Sequence, residues 1–384
     1  MILLKKIKLF GINGKLFSWI QAFLCNRTQR VVVDGTYSFI KLVLSGVPQG
    51  TVLGPLLFLM FVDDMSKVVK HSTLRLFADD SRLLKSIDGP SDNTLLQEDL
   101  SSVIKWSVAN NMKLHQDKFE LICHEPYLSS ATVRLFSHLP FALTQPQTVY
   151  KTEEAMIHPS DLVRDIGISV TPEYNFNAHI NKICSNAGIK LSWILSAFKS
   201  RDSTALMTLY KSLVRSLVEF CCPLWSPSTI GEIQKLEAVQ RRLTSKISGL
   251  QHLDYWSRLK ALNLMSLQRR RERYCIVYFW KIHHELVPND LGITWTLNDR
   301  LGLKAVVPRI PERRIKMNVY DGFLKVSGCK LWNTLPKAVN SESTSLLCFK
   351  NCLDKHLLRI PDCPPVQGYV SANRNSLVDY TNMY

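Results

Sequence analysis

Apolar residues recur at helical spacing through much of the chain beyond its midpoint. Leu206, then Leu209 and Tyr210, then Leu213 and Leu217 recur at steps of three or four, as on one face of a packed helix. The same period predicts helices near 177–199, 202–220, 229–248 and 268–287, and a last one near 345–358. Nearer the start, Leu96, Leu100, Val103, Ile104 and Val108 make Leu95 to Asn110 helical, and the apolar run Leu56 to Val62 reads as another helix. Short strand-like stretches flank Asp34-Gly35 and Asp79-Asp80, each pair standing where a hairpin turns. Phe119 to Cys123 and Val163 to Val170 read as further strands.

Between these regions Pro126, Pro140, Pro146 and Pro159 punctuate an irregular stretch, and from about Pro288 the chain is rich in Pro and Gly and is expected to pack loosely. Four parts follow: 1–125, 126–176, 177–287 and 288–384. A length of 384 residues, 46% of them hydrophobic, suffices for two or three domains with true cores. The run Leu56 to Val62 is far shorter than the roughly 20 residues that span a bilayer. Met1 to Phe10 has basic residues threaded through it and no small-residue cleavage site, so neither a membrane nor a secreted fate is expected. The ten cysteines then read as reduced intracellular thiols.

Two stretches carry chemistry. In Leu76-Phe77-Ala78-Asp79-Asp80-Ser81 two adjacent carboxylates sit at a hairpin tip. Mg²⁺ takes oxygen ligands and is usually held by one or two carboxylates plus substrate phosphates, and two-metal displacements clamp attacking and leaving oxygens. An Asp-Asp pair alone is also an ordinary exposed turn. Upstream, Ser45-Gly46-Val47-Pro48-Gln49-Gly50-Thr51-Val52-Leu53-Gly54-Pro55 places three glycines and two prolines ahead of an apolar helix. Gly lets backbone approach a ligand, Pro48 fixes the entry, and Gln49 offers donor and acceptor to a base or ribose. The plain alternative is a loop-to-helix junction.

Charge points to a polyanionic partner. Lys and Arg number 48 against 32 Asp and Glu, a formal charge of +16 with a pI near 9.4, so binding to nucleic acid should be salt-sensitive. Basic clusters lie at Arg241-Arg242, at Arg269-Arg270-Arg271 with Arg273, and at Arg313-Arg314 with Lys316. Tyr274, Tyr278, Phe279 and Trp280 follow the middle cluster; a stacking platform for bases competes there with a helix of wet basic face and aromatic core face, and the helix is the preferred reading. Cys348, Cys352, His356 and Cys363 have zinc-ligand chemistry, but the first three recur every four residues on one helix face and lack a Cys-x-x-Cys turn, so the helix face is preferred.

Taken together, the Ser45–Pro55 and Phe77–Asp80 stretches resemble the reverse transcriptase of non-LTR, LINE-type retrotransposons, most nearly the jockey-like group. Further likeness lies in Gly11-Ile12-Asn13-Gly14 with Trp19-Ile20, in Asn26-Arg27-Thr28-Gln29, and in Trp106 followed by Asn110-Asn111-Met112-Lys113-Leu114 and Lys118. Ile166-Gly167 with Asn175-Phe176 and His179-Ile180 looks like the passage from the primer-contacting turn to the thumb, and Leu331-Trp332-Asn333-Thr334-Leu335-Pro336 is similar to a recurrent tail segment.

The resemblance implies an α+β fold: a partial right-hand palm of antiparallel sheet and helices over 1–125, a connection with primer-contacting strands over 126–176, a helical thumb over 177–287 and a C-terminal extension over 288–384. It implies RNA-directed DNA synthesis in the cytoplasm and nucleus from dNTPs, with Mg²⁺ or alternatively Mn²⁺, on an RNA template and a DNA primer. Asp79 would be the principal metal ligand and Asp80 would assist. Pro48, Gln49, Gly50 and Phe77 would border nucleotide and template, and Lys118, with Lys113 as an equal alternative, would face the departing pyrophosphate. Asp63-Asp64 matches an ordinary pair at a helix end, where carboxylates cap or meet solvent. The family also carries a metal-binding Asp upstream of the Gly11-Ile12 segment, which this chain starts too late to contain. A 5′-truncated copy or incomplete gene product, a poor catalyst alone, is therefore expected. Alternatives are a non-catalytic binder of RNA or primer-template and another palm-type polymerase such as an intron maturase.

Overall fold

The computed structural model describes residues 2–115, 118–124, 149–152, 155–227, 229–308, 323–340, 345–362 and 375–381. They fall into two units, 1–123 with 143–161, and 124–142 with 162–384.

In the first unit, helices α1 (Ile2–Leu9) and α2 (Gly14–Leu24) bury Leu3, Ile7, Ile20 and Leu24 against Leu57 of α3 (Leu53–Val62). Between α2 and α3 lie two small antiparallel ladders. Strand β1 (Thr28–Gln29) pairs with β4 (Lys41–Leu42), and β2 (Val32–Val33) with β3 (Thr36–Tyr37). The inner ladder turns at Asp34-Gly35, both residues having positive φ, the geometry that selects Asp-Gly in two-residue hairpins.

A 3₁₀ turn, Asp63–Val68, leads from α3 to the hairpin of β5 (Thr73–Phe77) and β6 (Asp80–Leu84) and then to α4 (Pro90–Ala109). Val62, Met65, Val103 and Trp106 form a second small core beneath the hairpin. Helix α4 begins five residues before the periodic pattern does. Pro90 opens it, and the Asp92 carboxylate accepts from the backbone N–H of Asp88 and Gly89.

Strand β7 (Tyr150–Lys151) pairs with β8 (Met156–Ile157). The Gln97 amide of α4 holds β7 as a neighbouring strand would, donating to the Lys151 carbonyl at 2.8 Å and accepting its N–H at 2.7 Å. Phe119 to Cys123 is not a strand: one parallel bridge, Leu121 with Pro159, is all its described backbone forms. A partner segment containing a proline offers one N–H fewer, which stops the ladder there.

In the second unit Val163 to Val170 is a hairpin rather than one strand. Ile166 and Gly167 take positive φ between β9 (Val163–Asp165) and β10 (Ile168–Val170). Helix α5 (Asn177–Ala197) follows, then a helical run made of α6 (Ser203–Leu209), a π-helical segment Tyr210–Arg215 and α7 (Ser216–Glu219), and then the short α8 (Cys222–Trp225). Next come α9 (Ile230–Thr244), α10 (Tyr255–Ala261) and α11 (Leu267–His283). The periodic pattern did not announce α10, which is seven residues long; its signal is Asp254, whose carboxylate accepts from the N–H of Trp256 and Ser257.

The basic cluster at the start of α11 has neither a wet face nor phosphate-facing arginines. Arg269 and Arg271 are buried, Arg270 is paired bidentately with Glu219, and Arg273 with Asp354. Arg313-Arg314 and Lys316 lie outside the described residues, as does Cys363.

The segment after Pro288 was expected to pack loosely, and its described residues instead build a core. Strands β11 (Trp295–Asn298) and β12 (Gly302–Ala305) pair, and α12 (Leu324–Asn333), α13 (Lys337–Asn340), α14 (Leu346–Leu357) and α15 (Leu377–Thr381) complete it. Phe279, Trp332 and Phe349 are fully buried at its centre. The first five residues of the Leu331–Pro336 segment each have a structural task. Leu331, Trp332 and Leu335 fill the core. Asn333 bonds both the N–H and the carbonyl of Ala305, and Thr334 Oγ1 donates to the Leu331 carbonyl.

The nine described cysteines are free thiols. No helix among the described residues is long and apolar enough to cross a membrane.

Candidate active site

The Ser45–Pro55 loop is closed by its own polar groups. Thr51 Oγ1 donates to the Pro48 carbonyl at 2.8 Å and accepts the Gly54 N–H at 3.1 Å, capping the start of α3. Arg27 clamps the loop's entry, bonding the Gly46 carbonyl and, at 3.2 Å, that of Leu24. Val47 and Leu53 pack into the α1–α3 core, so the loop is pinned at both ends while Gln49 and Gly50 stay exposed at its tip. Gly54 is there for close approach: a Cβ would stand 2.5 Å from the Pro48 carbonyl oxygen.

Asp79 and Asp80 occupy the tip of the β5–β6 hairpin, both exposed. Phe77 faces Asp80 across a two-residue turn, Ala78-Asp79, in which Ala78 holds φ at +52°, a conformation that costs an L-residue of this kind about 1 kcal/mol or more. Alternation then sorts the hairpin's faces. Leu74 and Leu83 point one way, with Leu74 on the Val62–Met65 core. Phe77, Asp80, Arg75 and Arg82 share the other face. Carboxylate oxygens of two adjacent acids fit a hard divalent ion that draws its remaining ligands from phosphates. Among the described residues no group of three or more His, Cys, Asp or Glu side chains is placed to hold a metal.

The hairpin hangs from a carboxylate that the sequence did not single out. Asp99, buried on α4, accepts from the N–H of Lys70 and His71 and from Ser72 Oγ at 2.7–2.9 Å, fixing the chain just before β5. Burial pushes its carboxyl up, but the bonds from Lys70, Ser72 and His71 outweigh this and hold it below the usual carboxylate range. A depressed folded-state value means stability present above the unfolded pKa of about 3.9 and lost as pH falls through the folded value. Asp99→Asn should therefore cost the first unit about 2 kcal/mol at pH 7. In urea titrations the gap between variant and parent should close as the pH is taken down through 4 toward 3; a gap unchanged at pH 3 would contradict the assignment.

Asp64 has a structural partner set. It accepts from Lys6 Nζ at 2.6 Å and Trp106 Nε1 at 3.1 Å, and Lys6 also donates to the Phe61 carbonyl. This carboxylate joins α1, the 3₁₀ turn and α4. Asp63 is exposed beside it. Lys118 is exposed, its N–H bonded to the His115 carbonyl. Phe77, Asp79 and Asp80 thus stand together, and Pro48, Gln49 and Gly50 together. Among the described residues no hydrogen bond or ion pair links Gln49 or Lys118 to the acidic tip.

Both clusters lie inside the segment that matches a known family. Residues 1–155 match the reverse transcriptase (RNA-dependent DNA polymerase) family. Over 319 residues, 79% of this chain and 32% of the relative, the chain is 26% identical to the RNA-directed DNA polymerase from mobile element jockey of Drosophila melanogaster. It is 24% identical over 249 residues, 62% of this chain and 25% of the relative, to the protein of the same name in Drosophila funebris. With the probable RNA-directed DNA polymerase from transposon BS of Drosophila melanogaster it shares 22% identity over 323 residues, 80% of this chain and 32% of the relative. The chain spans about a quarter to a third of the length of these relatives. The resemblance to non-LTR retrotransposon reverse transcriptases holds, and the longer alignments carry it beyond the reverse transcriptase match into the second unit.

Proposed function

We propose that this chain is the palm-containing part of a reverse transcriptase of a jockey-like mobile element, performing nucleotidyl transfer from a dNTP to a primer 3′-hydroxyl on an RNA template. The observation that carries the reading is that a self-capped Gly-rich loop and a vicinal acidic hairpin tip both occur inside the segment matching reverse transcriptases. In this reading 1–125 is a partial palm, 126–176 the connection to the thumb, 177–287 thumb-like and 288–384 an extension.

Asp79 and Asp80 would hold Mg²⁺, or Mn²⁺ in its place, which when bound would supply charge stabilisation to the reacting oxygens. Gln49 contacts the incoming nucleotide, with Pro48 and Gly50 keeping backbone close to it, and Phe77 flanks the template strand. Lys118 offsets charge on the departing pyrophosphate. The work belongs to the cytoplasm and nucleus. The jockey alignments favour a mobile-element enzyme over an intron maturase.

A second reading, a non-catalytic binder of RNA or primer-template, draws on the two carboxylates that stand together at the tip with no third beside them among the described residues. Primer extension on an RNA template with Mg²⁺ and dNTPs separates them. The first reading expects extension that falls by about a thousandfold or more in the Asp79→Ala, Asp80→Ala double variant, the scale on which an essential electrostatic group acts. No extension, with salt-sensitive template binding that the double variant retains, would establish the second.

A further inference from the structure

A cleft of about 550 Å³ opens in the second unit between the helical run around Lys211–Glu219 and the helix α11. Three cations, Lys211, Arg215 and Lys281, and three aromatic rings, Phe220, Tyr274 and Tyr278, line it. That volume lies within the roughly 300–1,000 Å³ of small-ligand sites. The lining is the pairing of point charges and flat faces that a nucleotide needs, phosphate on one and base on the other.

Among the described residues the lining carries more positive than negative charge. Glu219 is the one carboxylate in the lining, and it already serves two guanidiniums: Arg270 bonds it bidentately and Arg215 stands 3.7 Å away. Burial, and then the neighbouring Arg270, lower the pKa of Arg215, the signature of a half-buried cation in excess of its counter-ions. Tyr274 is committed to this network, accepting from Arg270 and donating to Glu219. Tyr278 is not: it packs half-buried against the aromatic core, and among the described residues no hydrogen bond or ring contact engages its side chain.

The backbone around the cleft is irregular at the positions that shape it. Lys211 and Arg215 both lie on the π-helical segment, a winding found often at functional sites. Cys221, on the rim, holds φ at +50°, and its turn is kept in place by Trp225 Nε1 donating to the Phe220 carbonyl at 2.8 Å. The half-exposed Phe220 ring rests on Gly167.

We infer that this cleft binds one unpaired nucleotide of a single-stranded RNA, its base stacked on Tyr278 and its flanking phosphates held by Lys211 and Lys281. Binding here does not depend on the acidic hairpin, so the proposal stands or falls separately from polymerisation.

The test uses the full chain and a short fluorescein-labelled oligouridylate followed by anisotropy across a salt series, together with photocrosslinking of the same strand carrying 5-iodouridine. Tyr278→Ala should weaken binding about tenfold or more while leaving the salt slope unchanged. Tyr278→Phe should bind as the parent does. The Lys211→Gln, Lys281→Gln pair should lower the slope by about 1.4, two phosphates' worth for a single strand. Crosslinks should map to the peptide containing Tyr274 and Tyr278, and Asp79→Ala, Asp80→Ala should leave all of this intact.

Binding within twofold of the parent in both cleft variants, or crosslinks exclusively elsewhere, would overturn the site. Equal competition by duplex RNA would remove the unpaired base, and equal competition by free uridine monophosphate would reassign the cleft to a mononucleotide. Should Tyr278→Ala fail to fold, the lysine pair and the crosslinks decide.

Discussion

Trp332→Ala is expected to cost about 4 kcal/mol and to lower the thermal midpoint of the second unit by roughly 10 °C. The indole is fully buried, edge-on to Trp295 at 5.3 Å between centroids and stacked with Phe349 at 6.0 Å. Its Nε1 donates to the Leu303 carbonyl at 3.0 Å, the register position on β12 that faces Leu297. Truncation removes the packing and one of the donors to that carbonyl, which keeps the bond from Asn340 Nδ2 at 3.0 Å. Trp332→Phe keeps most of the ring and loses only the bond, so it should cost about 1–2 kcal/mol. Circular dichroism followed through a thermal ramp reads both, and equal losses in the two variants would mean that the ring's volume contributes little.

Gly54→Ala reverses an ordinary sign. Inside a helix this change usually stabilises by up to about 1 kcal/mol. In the first turn of α3 the new methyl would sit 2.5 Å from the Pro48 carbonyl oxygen and 3.0 Å from Thr51 Oγ1, so the loop backbone must move. The expected result is a loss of about 2 kcal/mol by urea denaturation. Any preparation that extends a primer should also lose about a hundredfold in rate, because Gln49 rides on the displaced turn. Gly231→Ala is the control: it is helical, and nothing lies within 4 Å of its added methyl, so it should stabilise. A stabilised Gly54→Ala would show that the loop yields freely.

The parts of the fold that local chemistry specifies were legible in the sequence. Asp34-Gly35 turns where its residue types say it should, whereas the acidic hairpin turns one residue earlier than expected, at Ala78-Asp79, with Asp80 already paired to Phe77. The apolar period of Leu206 to Leu217 marks a helix, but its middle winds as π, which buries Val214 and Val218 and leaves Leu213 exposed. What escaped depends on partners distant in the chain. The arginines of α11 look like a basic patch until Glu219 and Asp354, some 51 and 81 positions away, are seen beside them. Pro and Gly after Pro288 suggested looseness, yet they only punctuate short elements that share one aromatic core. For the candidate site, adjacency within each motif was readable, whereas Asp99 gave no signal: a lone acid in the middle of a helix does not reveal that it holds the approach to a hairpin 27 to 29 positions earlier.

That attachment makes the acidic hairpin a lever. Its base is held by three bonds to one carboxylate, and its tip lies five residues along β5, about 16 Å away at the usual rise per strand residue. Over that arm a tilt of about 4° at Asp99 carries the two acids through about 1 Å, a displacement on the scale that governs reaction rates. Aim at the tip is therefore set by the stiffness of α4 and its loop, and substitutions far from the carboxylates, on the Val103 and Trp106 face, should register as errors of alignment before they register as losses of fold.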